Sequence, residues 1–270
     1  MKKYKLTNET IVHFGITLYR IEALMDFFDV KTGDKGGFVQ SENNLSQLCN
    51  AWVYGNAKVY GNAKVCGNAK VCGNASVYGN AEVFGNAKVC GNAEVYGNAK
   101  VYGNAKVCGN AKVCGNAEVR GDAEVFGNAK VCGNAEVYGN AKVFDYAEVF
   151  GNASVCGNAS VFGNASVCGN ASVCGNAEVR GDAEVFGNAK VFDYASVYGN
   201  AKVFDYAEVF GNAKVFGDAE VYKNSDYIVF KNWWSSGRYF TWTRSNKMWK
   251  VGCFYGNGKE LIKKAYADSE

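Results

Sequence analysis

The stretch VYGNAKVYGNAKVCGNAKVCGNA (53–75) sets a six-residue period that continues to Val221. Valine recurs at every sixth position from Val53 to Val221, 29 times, and alanine at every sixth position from Ala51 to Ala219. Written from the alanine, the unit is Ala-x-Val-z-Gly-Asn, where x is mostly Lys, Glu or Ser and z is mostly Tyr, Phe or Cys. The unit fills residues 51–222 of a 270-residue chain, so the fold follows mainly from it.

Each unit is predicted to be a very short strand followed by a bend. Side chains alternate between the two faces of an extended segment, so Ala and Val share one face and x takes the other. Glycine adopts positive φ freely, and asparagine tolerates the left-handed region better than other residues. A helix is disfavoured, because each glycine would cost about 1 kcal/mol and the apolar period does not match a helix.

Three such units close into a coil of 18 residues, with successive coils pairing as parallel strands about 4.8 Å apart. Residues 18 apart then become stacked neighbours. The series Lys64, Glu82, Lys100, Glu118 alternates in sign, as favourable cross-strand pairing requires. The z position also sorts into like runs: Tyr60, Tyr78, Tyr96; Cys72, Cys90, Cys108; and Phe126, Phe144, Phe162. We predict an all-β fold, a single-stranded, three-sided parallel β-helix.

The repeat resembles the hexapeptide-repeat, left-handed β-helix superfamily typified by UDP-N-acetylglucosamine acyltransferases. The left hand is implied by this resemblance, as is a trimeric homo-oligomer. The family often places glycine directly after the aliphatic residue, whereas Gly55 and Gly61 come one residue later. More narrowly, GGFVQSENNLSQ (36–47) running into the repeat resembles a group of bacterial and phage proteins that includes an enterobacterial protein described as an acetyltransferase.

The chain is predicted to have three parts: an N-terminal β cap (1–50), the β-helix (51–222) and a C-terminal module (223–270). In the cap, KYKLT (3–7) and ITLYRIEAL (16–24) are predicted strands. In the module, DYIVFKNWW (226–234) is a predicted strand, followed by a hairpin that turns at Ser245-Asn246. GKELIKKAYADSE (258–270) is a predicted short helix with Leu261, Ile262, Ala265 and Tyr266 on one side.

The C-terminal module is the candidate binding site. It has nine basic residues against four acidic ones, although the whole chain carries only +3. Aromatic and basic side chains alternate here, a composition that can stack bases or bind an anionic partner. The alternative is that the tryptophans build the core of a small capping module while the basic groups stay solvated. The candidate residues are Trp233, Trp234, Arg238, Tyr239, Trp242, Arg244, Lys247, Trp249 and Lys250.

The sequence offers little catalytic or metal-binding chemistry. Acyltransferases of the resembled superfamily use a histidine base on the coil, whereas this chain has one histidine, His13, outside the repeat. No catalytic residue, metal site or cofactor is therefore predicted. Nine of the 11 cysteines occupy the z position interchangeably with Tyr and Phe, and the total is odd. We expect them to serve as small apolar packing residues and not as a disulfide framework.

These observations favour a non-enzymatic structural or interaction protein, a rigid β-helical rod that presents the C-terminal module to a protein or anionic partner. One alternative is an acyl- or nucleotidyltransferase-like enzyme with a site between subunits. Another is a phage-encoded factor that binds a host protein or nucleic acid. No stretch approaches the ~20 apolar residues of a membrane helix, and no secretory signal precedes the repeat. A cytoplasmic location in a bacterial cell is the expectation.

Overall fold

The computed structural model describes residues 2–233 and 237–267. The chain divides into two compact units, residues 1–145 and 146–270, which are described in turn. In both units valines 18 residues apart are paired in parallel, for example Val77 with Val95 and Val185 with Val203. The predicted all-β fold with an 18-residue coil is confirmed.

The first unit begins with three longer strands, β1 (Tyr4–His13), β2 (Ile16–Ala23) and β3 (Lys35–Val39). A one-turn 3-10 helix, Glu42–Asn44, follows. The repeat strands of this unit are β4 (Trp52–Val53), β5 (Lys58–Val59), β6 (Lys64–Val65), β7 (Lys70–Val71), β8 (Ser76–Val77), β9 (Glu82–Val83), β10 (Lys88–Val89), β11 (Glu94–Val95), β12 (Lys100–Val101), β13 (Lys106–Val107), β14 (Lys112–Val113), β15 (Glu118–Val119), β16 (Glu124–Val125), β17 (Lys130–Val131), β18 (Glu136–Val137) and β19 (Lys142–Val143).

Every third repeat strand joins the same sheet, so the unit has three parallel faces. The first face runs β5-β8-β11-β14-β17, the second β4-β7-β10-β13-β16-β19 and the third β6-β9-β12-β15-β18. The antiparallel hairpin of β1 and β2 extends the first face, because β3 pairs antiparallel with β2 and parallel with β5. Both strands predicted in the cap are therefore present.

The second unit continues the same pattern and ends in a different sheet. Its repeat strands are β20 (Glu148–Val149), β21 (Ser154–Val155), β22 (Ser160–Gly163), β23 (Ser166–Val167), β24 (Ser172–Val173), β25 (Glu178–Gly181), β26 (Glu184–Val185), β27 (Lys190–Val191), β28 (Ser196–Gly199), β29 (Lys202–Val203), β30 (Glu208–Val209), β31 (Lys214–Gly217) and β32 (Glu220–Val221). A 3-10 turn, Asn224–Asp226, leads into β33 (Tyr227–Lys231), β34 (Tyr239–Thr243), β35 (Met248–Val251), β36 (Phe254–Gly256) and helix α1 (Gly258–Ala267).

The hexapeptide explains both the core and the bends. None of the repeat valines is more than 1% exposed, so this position forms the interior of each coil. The glycines of the bends have φ between 60° and 77°, and glycine adopts these angles without steric strain because it has no Cβ. In three bends an aspartate occupies that place, at φ 59°, 60° and 57° for Asp145, Asp193 and Asp205. The Asp-Tyr variants are thus tolerated bends.

Side chains 18 residues apart form ladders outside the coils. Lys100 is in register with Glu82 and Glu118, and its ammonium lies 3.8 Å from the Glu118 carboxylate. The ring centroid of Tyr78 lies 5.0 Å from that of Tyr60 and 4.9 Å from that of Tyr96. Asparagine side chains at the bends donate to one another in the same way, with 2.9–3.3 Å between Nδ2 and Oδ1. The predicted stacking of like residues is confirmed for these series.

The expectation for the cysteines is wrong for six of the nine repeat positions. Stacking at one coil spacing places paired Cα atoms 4.6–4.7 Å apart, within the range that a disulfide bond spans. The 18-residue period therefore creates fixed cysteine pairs that the six-residue pattern conceals. The bonded pairs are Cys90–Cys108, Cys114–Cys132 and Cys156–Cys174, and the free thiols are Cys49, Cys66, Cys72, Cys168 and Cys253.

Strand β3 and several side chains together replace the missing coil at the amino end of the solenoid. Within the repeat, backbone N–H groups donate to carbonyls of the following coil, as Lys58 does to Ala75. The first coil has no preceding repeat unit to supply these donors. Instead the Asn44 amide donates to the carbonyls of Gly61 and Ala63, both at 2.9 Å, and the Lys3 ammonium donates to Ala51 at 2.8 Å.

The carboxyl end is completed with acceptors. Each of the three faces ends in a strand whose first N–H has no following coil: β30, β31 and β32. Asn224 Oδ1 accepts from the N–H of Glu208 at 2.8 Å. Thr241 Oγ1 accepts from Lys214 at 2.9 Å, and Ser245 Oγ accepts from Glu220 at 2.7 Å. One side-chain oxygen therefore caps each face.

Candidate functional site

The C-terminal sheet is antiparallel, with strand order β33-β34-β35-β36. The predicted hairpin is confirmed, because β34 and β35 pair around a turn at residues 244–247. Asn246 holds this turn, since its Oδ1 accepts from the hydroxyl of Thr243 and the N–H of Met248. Strand β36 is a further strand of this sheet, beyond the two strands of the predicted hairpin.

One face of this sheet, the inner face, packs on the last coils. Thr241, 1% exposed, lies here and bonds to Lys214. The Tyr227 hydroxyl donates to the carbonyl of Glu208 at 3.1 Å. The Tyr255 ring meets the Phe216 ring edge-on, with centroids 4.5 Å apart, and the Lys250 ammonium lies 5.0 Å from the same ring. Burial lowers the pKa of Lys250 and raises that of Tyr255.

The opposite face carries Ile228, Phe230, Phe240, Trp242, Trp249, Val251 and Phe254, and we call the first five residues the outer aromatic face. Strand register places Ile228 beside Trp242 and Trp242 beside Trp249, and Phe230 beside Phe240. Directly opposed residues project to the same side of a sheet, so the five form one surface. Ile228 is 51% and Phe230 46% exposed, while the other three are partly exposed.

The rings of the outer aromatic face contact one another. Phe230 stacks on Phe240 with centroids 5.0 Å apart, and Trp249 meets both edge-on at 6.1 and 6.5 Å. Trp242 lies 6.4 Å from Trp249 at a tilt of 43°. These contacts pack the rings of the outer aromatic face against one another.

The charges around this face are mostly positive. Arg238 precedes β34 at one end of the sheet, and Arg244 and Lys247 lie in the turn at the other end; all three are exposed. The two acidic groups among the described residues of the module are engaged locally. Asp226 accepts from the N–H groups of residues 222 and 223 and lies 3.7 Å from the Arg244 guanidinium, and Glu260 accepts from the N–H of residue 257.

The nine candidate residues are only partly brought together. Trp242 and Trp249 lie on the outer aromatic face, whereas Lys250 lies on the inner face. Trp233 is 76% exposed, and the Lys231 ammonium lies 3.9 Å from its ring and 5.5 Å from that of Tyr239. Trp234 lies outside the described residues. Arg238, Arg244 and Lys247 flank the sheet at its two ends.

Sequence analysis missed Ile228, Phe230 and Phe240. Their signal was the two-residue alternation along IVF and YFTW, which places every second side chain on one face. Helix α1 is present over Gly258–Ala267, and the last three residues predicted for it lie outside the described part of the chain. Its apolar side is not buried: Ile262 is 60% and Tyr266 72% exposed.

No protein-family model matches the chain, and no curated protein resembles it in sequence. Among the described residues no helix has the length and apolarity to span a bilayer, and no three His, Cys, Asp or Glu side chains lie together as a metal site would need.

Groups capable of acid–base chemistry are scattered or already engaged. The His13 ring packs 5.5 Å from the Tyr60 ring, and burial, together with the charge of Lys58, lowers its pKa. A cavity of about 240 Å³ on the first unit is lined by Lys106, Glu124 and Cys108 among others. Its lysine and glutamate are paired at 2.8 Å, and its cysteine is bonded to Cys90.

Proposed function

We propose that this protein is a non-enzymatic interaction protein, a β-solenoid scaffold whose C-terminal module binds an anionic partner. The observation that supports this most directly is the outer aromatic face. It places Phe230, Phe240, Trp242 and Trp249 side by side on the side of the sheet that faces away from the coils. A sheet that only capped the solenoid would need one packed face, and the inner face already provides it.

The chemistry of the surface indicates the class of partner. Aromatic side chains and arginine are enriched where proteins bind tightly. The aromatic rings bury large areas with few rotatable bonds, and arginine supplies charge. The exposed cations at both ends of the sheet attract anions, and the acidic groups of the module are held by backbone N–H groups. An anion with apolar or planar groups satisfies both features.

The experiment measures binding of the full-length protein to three fluorescent anionic probes: heparin, a poly-glutamate peptide and a 12-nucleotide oligothymidine. The variants Phe230→Ala and Trp242→Ala remove rings from the face. The matched control is Tyr206→Ala, because Tyr206 is 77% exposed at a coil bend in the same unit. Circular dichroism verifies that each variant keeps the wild-type β spectrum.

We expect at least one probe to bind the wild-type protein and the Tyr206 variant equally, and to bind the two face variants at least fivefold more weakly. If all four proteins bind every probe alike, or none binds any probe, the proposed function is wrong.

A further inference from the structure

The geometry points to single-stranded nucleic acid as the partner: we propose that its bases stack on the outer aromatic face while its phosphates contact the flanking cations. This inference rests on the proposed function and names the class of ligand for the same surface. Three features of the sheet carry it: the spacing of the rings, the placement of the charges and the exposure of ring surface.

The spacing of the rings suits an unstacked strand. The ring centroid of Trp249 lies 6.1–6.5 Å from those of Phe230, Phe240 and Trp242. This is close to twice the ~3.4 Å rise of one nucleotide in a helical strand. Successive bases of an extended strand can therefore each meet a different ring. Stacking on aromatic rings accepts any base, because every base has a π face.

The cations lie where the backbone of such a strand would pass. Arg238 and Arg244 are six positions apart in the sequence, which at ~3.3 Å per residue spans about 20 Å along β34. That distance corresponds to about three steps of an extended strand at ~6.8 Å per nucleotide, twice the helical rise. Lys247 adjoins Arg244 in the same turn and is exposed. Basic groups thus lie at both ends of the aromatic surface, as a groove that follows a phosphate backbone requires.

The accessible ring surface lies at the edge of the sheet. Phe230 is on the edge strand β33, and one side of its ring is stacked on Phe240. Its other side is directed away from Phe240, and the residue is 46% exposed. A duplex holds its bases inside paired stacks and cannot offer their faces to these rings, so the surface discriminates in favour of single strands.

The test uses full-length protein and anisotropy of labelled dT12, rU12 and a 12-base-pair DNA duplex at 50 and 200 mM KCl. Phe230→Ala and Trp242→Ala remove stacking, and Lys247→Asn removes one charge; Asn tolerates the φ of 56° found there. The controls are Tyr206→Ala for an exposed ring and Lys88→Gln for an exposed coil lysine.

We expect dT12 or rU12 to bind and the duplex to bind at least tenfold more weakly. Each ring variant should weaken binding about 5- to 150-fold. Contacts with three phosphates give a slope of about −2 when the logarithm of the binding constant is plotted against the logarithm of the salt concentration. The fourfold rise in salt should therefore weaken binding about 20-fold. Lys247→Asn should reduce that slope, and both controls should bind like the wild type. A preference for dT12 or for rU12 shows whether DNA or RNA is the ligand.

Three results overturn the inference and are distinguishable from one another. If neither single strand binds, while heparin or poly-glutamate binds in a manner that needs Trp242, the partner is another anion and the proposed function stands. If the duplex binds as tightly as the single strands, stacking is not the mode of recognition. If Phe230→Ala and Trp242→Ala alter no interaction with any probe, the inference and the proposed function both fail.

Discussion

The bends of the coils provide the sharpest stability prediction, through the substitution Gly97→Ala. Gly97 has φ 73°, in the left-handed region that disfavours residues with a Cβ. A Cβ at this position would lie 2.9 Å from the carbonyl oxygen and 3.0 Å from the nitrogen of Gly115 in the next coil. These neighbours are backbone atoms, so they cannot rotate away as a flexible side chain would.

The expected cost has two separable parts. Holding alanine in the left-handed region costs about 1–2 kcal/mol. Forcing the Cβ against the next coil adds a cost of the kind seen on overpacking, about 1–3 kcal/mol. We expect a loss of about 2–5 kcal/mol in total for Gly97→Ala. Gly211→Ala isolates the first part, because Gly211 has φ 65° but nothing within 4 Å of its Cβ position; it should lose only about 1–2 kcal/mol.

Native-state hydrogen exchange measures both losses as free energies of local opening. The amide of Asn98 is a suitable probe, since it donates to the Gly115 carbonyl at 2.7 Å. Urea unfolding followed by circular dichroism gives the global loss. Equal losses for Gly97→Ala and Gly211→Ala would refute the contact between coils as a source of strain, and a loss below about 1 kcal/mol in both would refute the conformational penalty.

Three further predictions concern the ends and the disulfides. Thr241→Val removes the acceptor for the N–H of Lys214 and should lower the free energy of unfolding by about 1–3 kcal/mol, whereas Thr241→Ser should lower it by less. Hydrogen exchange of the Lys214 amide measures the difference. Equal effects of the two substitutions would contradict the capping role of Thr241. Burial lowers the pKa of Lys3 to about 8 from 10.5. At a pH between these two pKa values, the unfolded chain keeps a proton that the folded chain has released. The free energy of unfolding should therefore rise with pH in this range. Urea midpoints at pH 7.5 and 9.5 should show that rise in the wild type and not in Lys3→Met, and the same pH dependence in both proteins would contradict it. Each disulfide closes an 18-residue loop, so the chain-entropy model gives about 3 kcal/mol of stabilisation per bond. Urea unfolding with and without a phosphine reductant should show a lower free energy of unfolding after reduction. Peptide mapping that finds only free thiols would contradict the pairing.

The coil could be predicted from the sequence because one period determines several observable features at once. The spacing of Val53 and its successors sets the inward position, Gly55 and its successors set the bend, and residues 18 apart set the register. Each of these is local or nearly local, so neighbouring units impose it on one another. The stacked series that begins at Tyr60 could be deduced for the same reason.

The disulfides and the outer aromatic face could not be deduced in that way. Whether Cys90 packs or bonds depends on what lies 18 residues away, and a count of cysteines at one repeat position hides that relation. In the terminal sheet, the alternation along the strands places Phe230 and Phe240 on one face. Whether that face packs on the coils or is turned away from them depends on tertiary contacts. That choice depends on contacts such as Thr241 with Lys214, which involve residues distant in sequence and carry no periodic signal.

The capping contacts also determine how this chain meets other copies of itself. A parallel β-coil with open ends is a template, and a second molecule could extend it by ordinary strand pairing. Here Asn44 and Lys3 occupy carbonyls at one end, while Asn224, Thr241 and Ser245 occupy amides on all three faces at the other. Within the repeat, these capping side chains bond to the first and last coils. Duplication of an 18-residue block between them would lengthen the array and leave both terminators unchanged, so the number of coils can vary without creating a fibre-forming end.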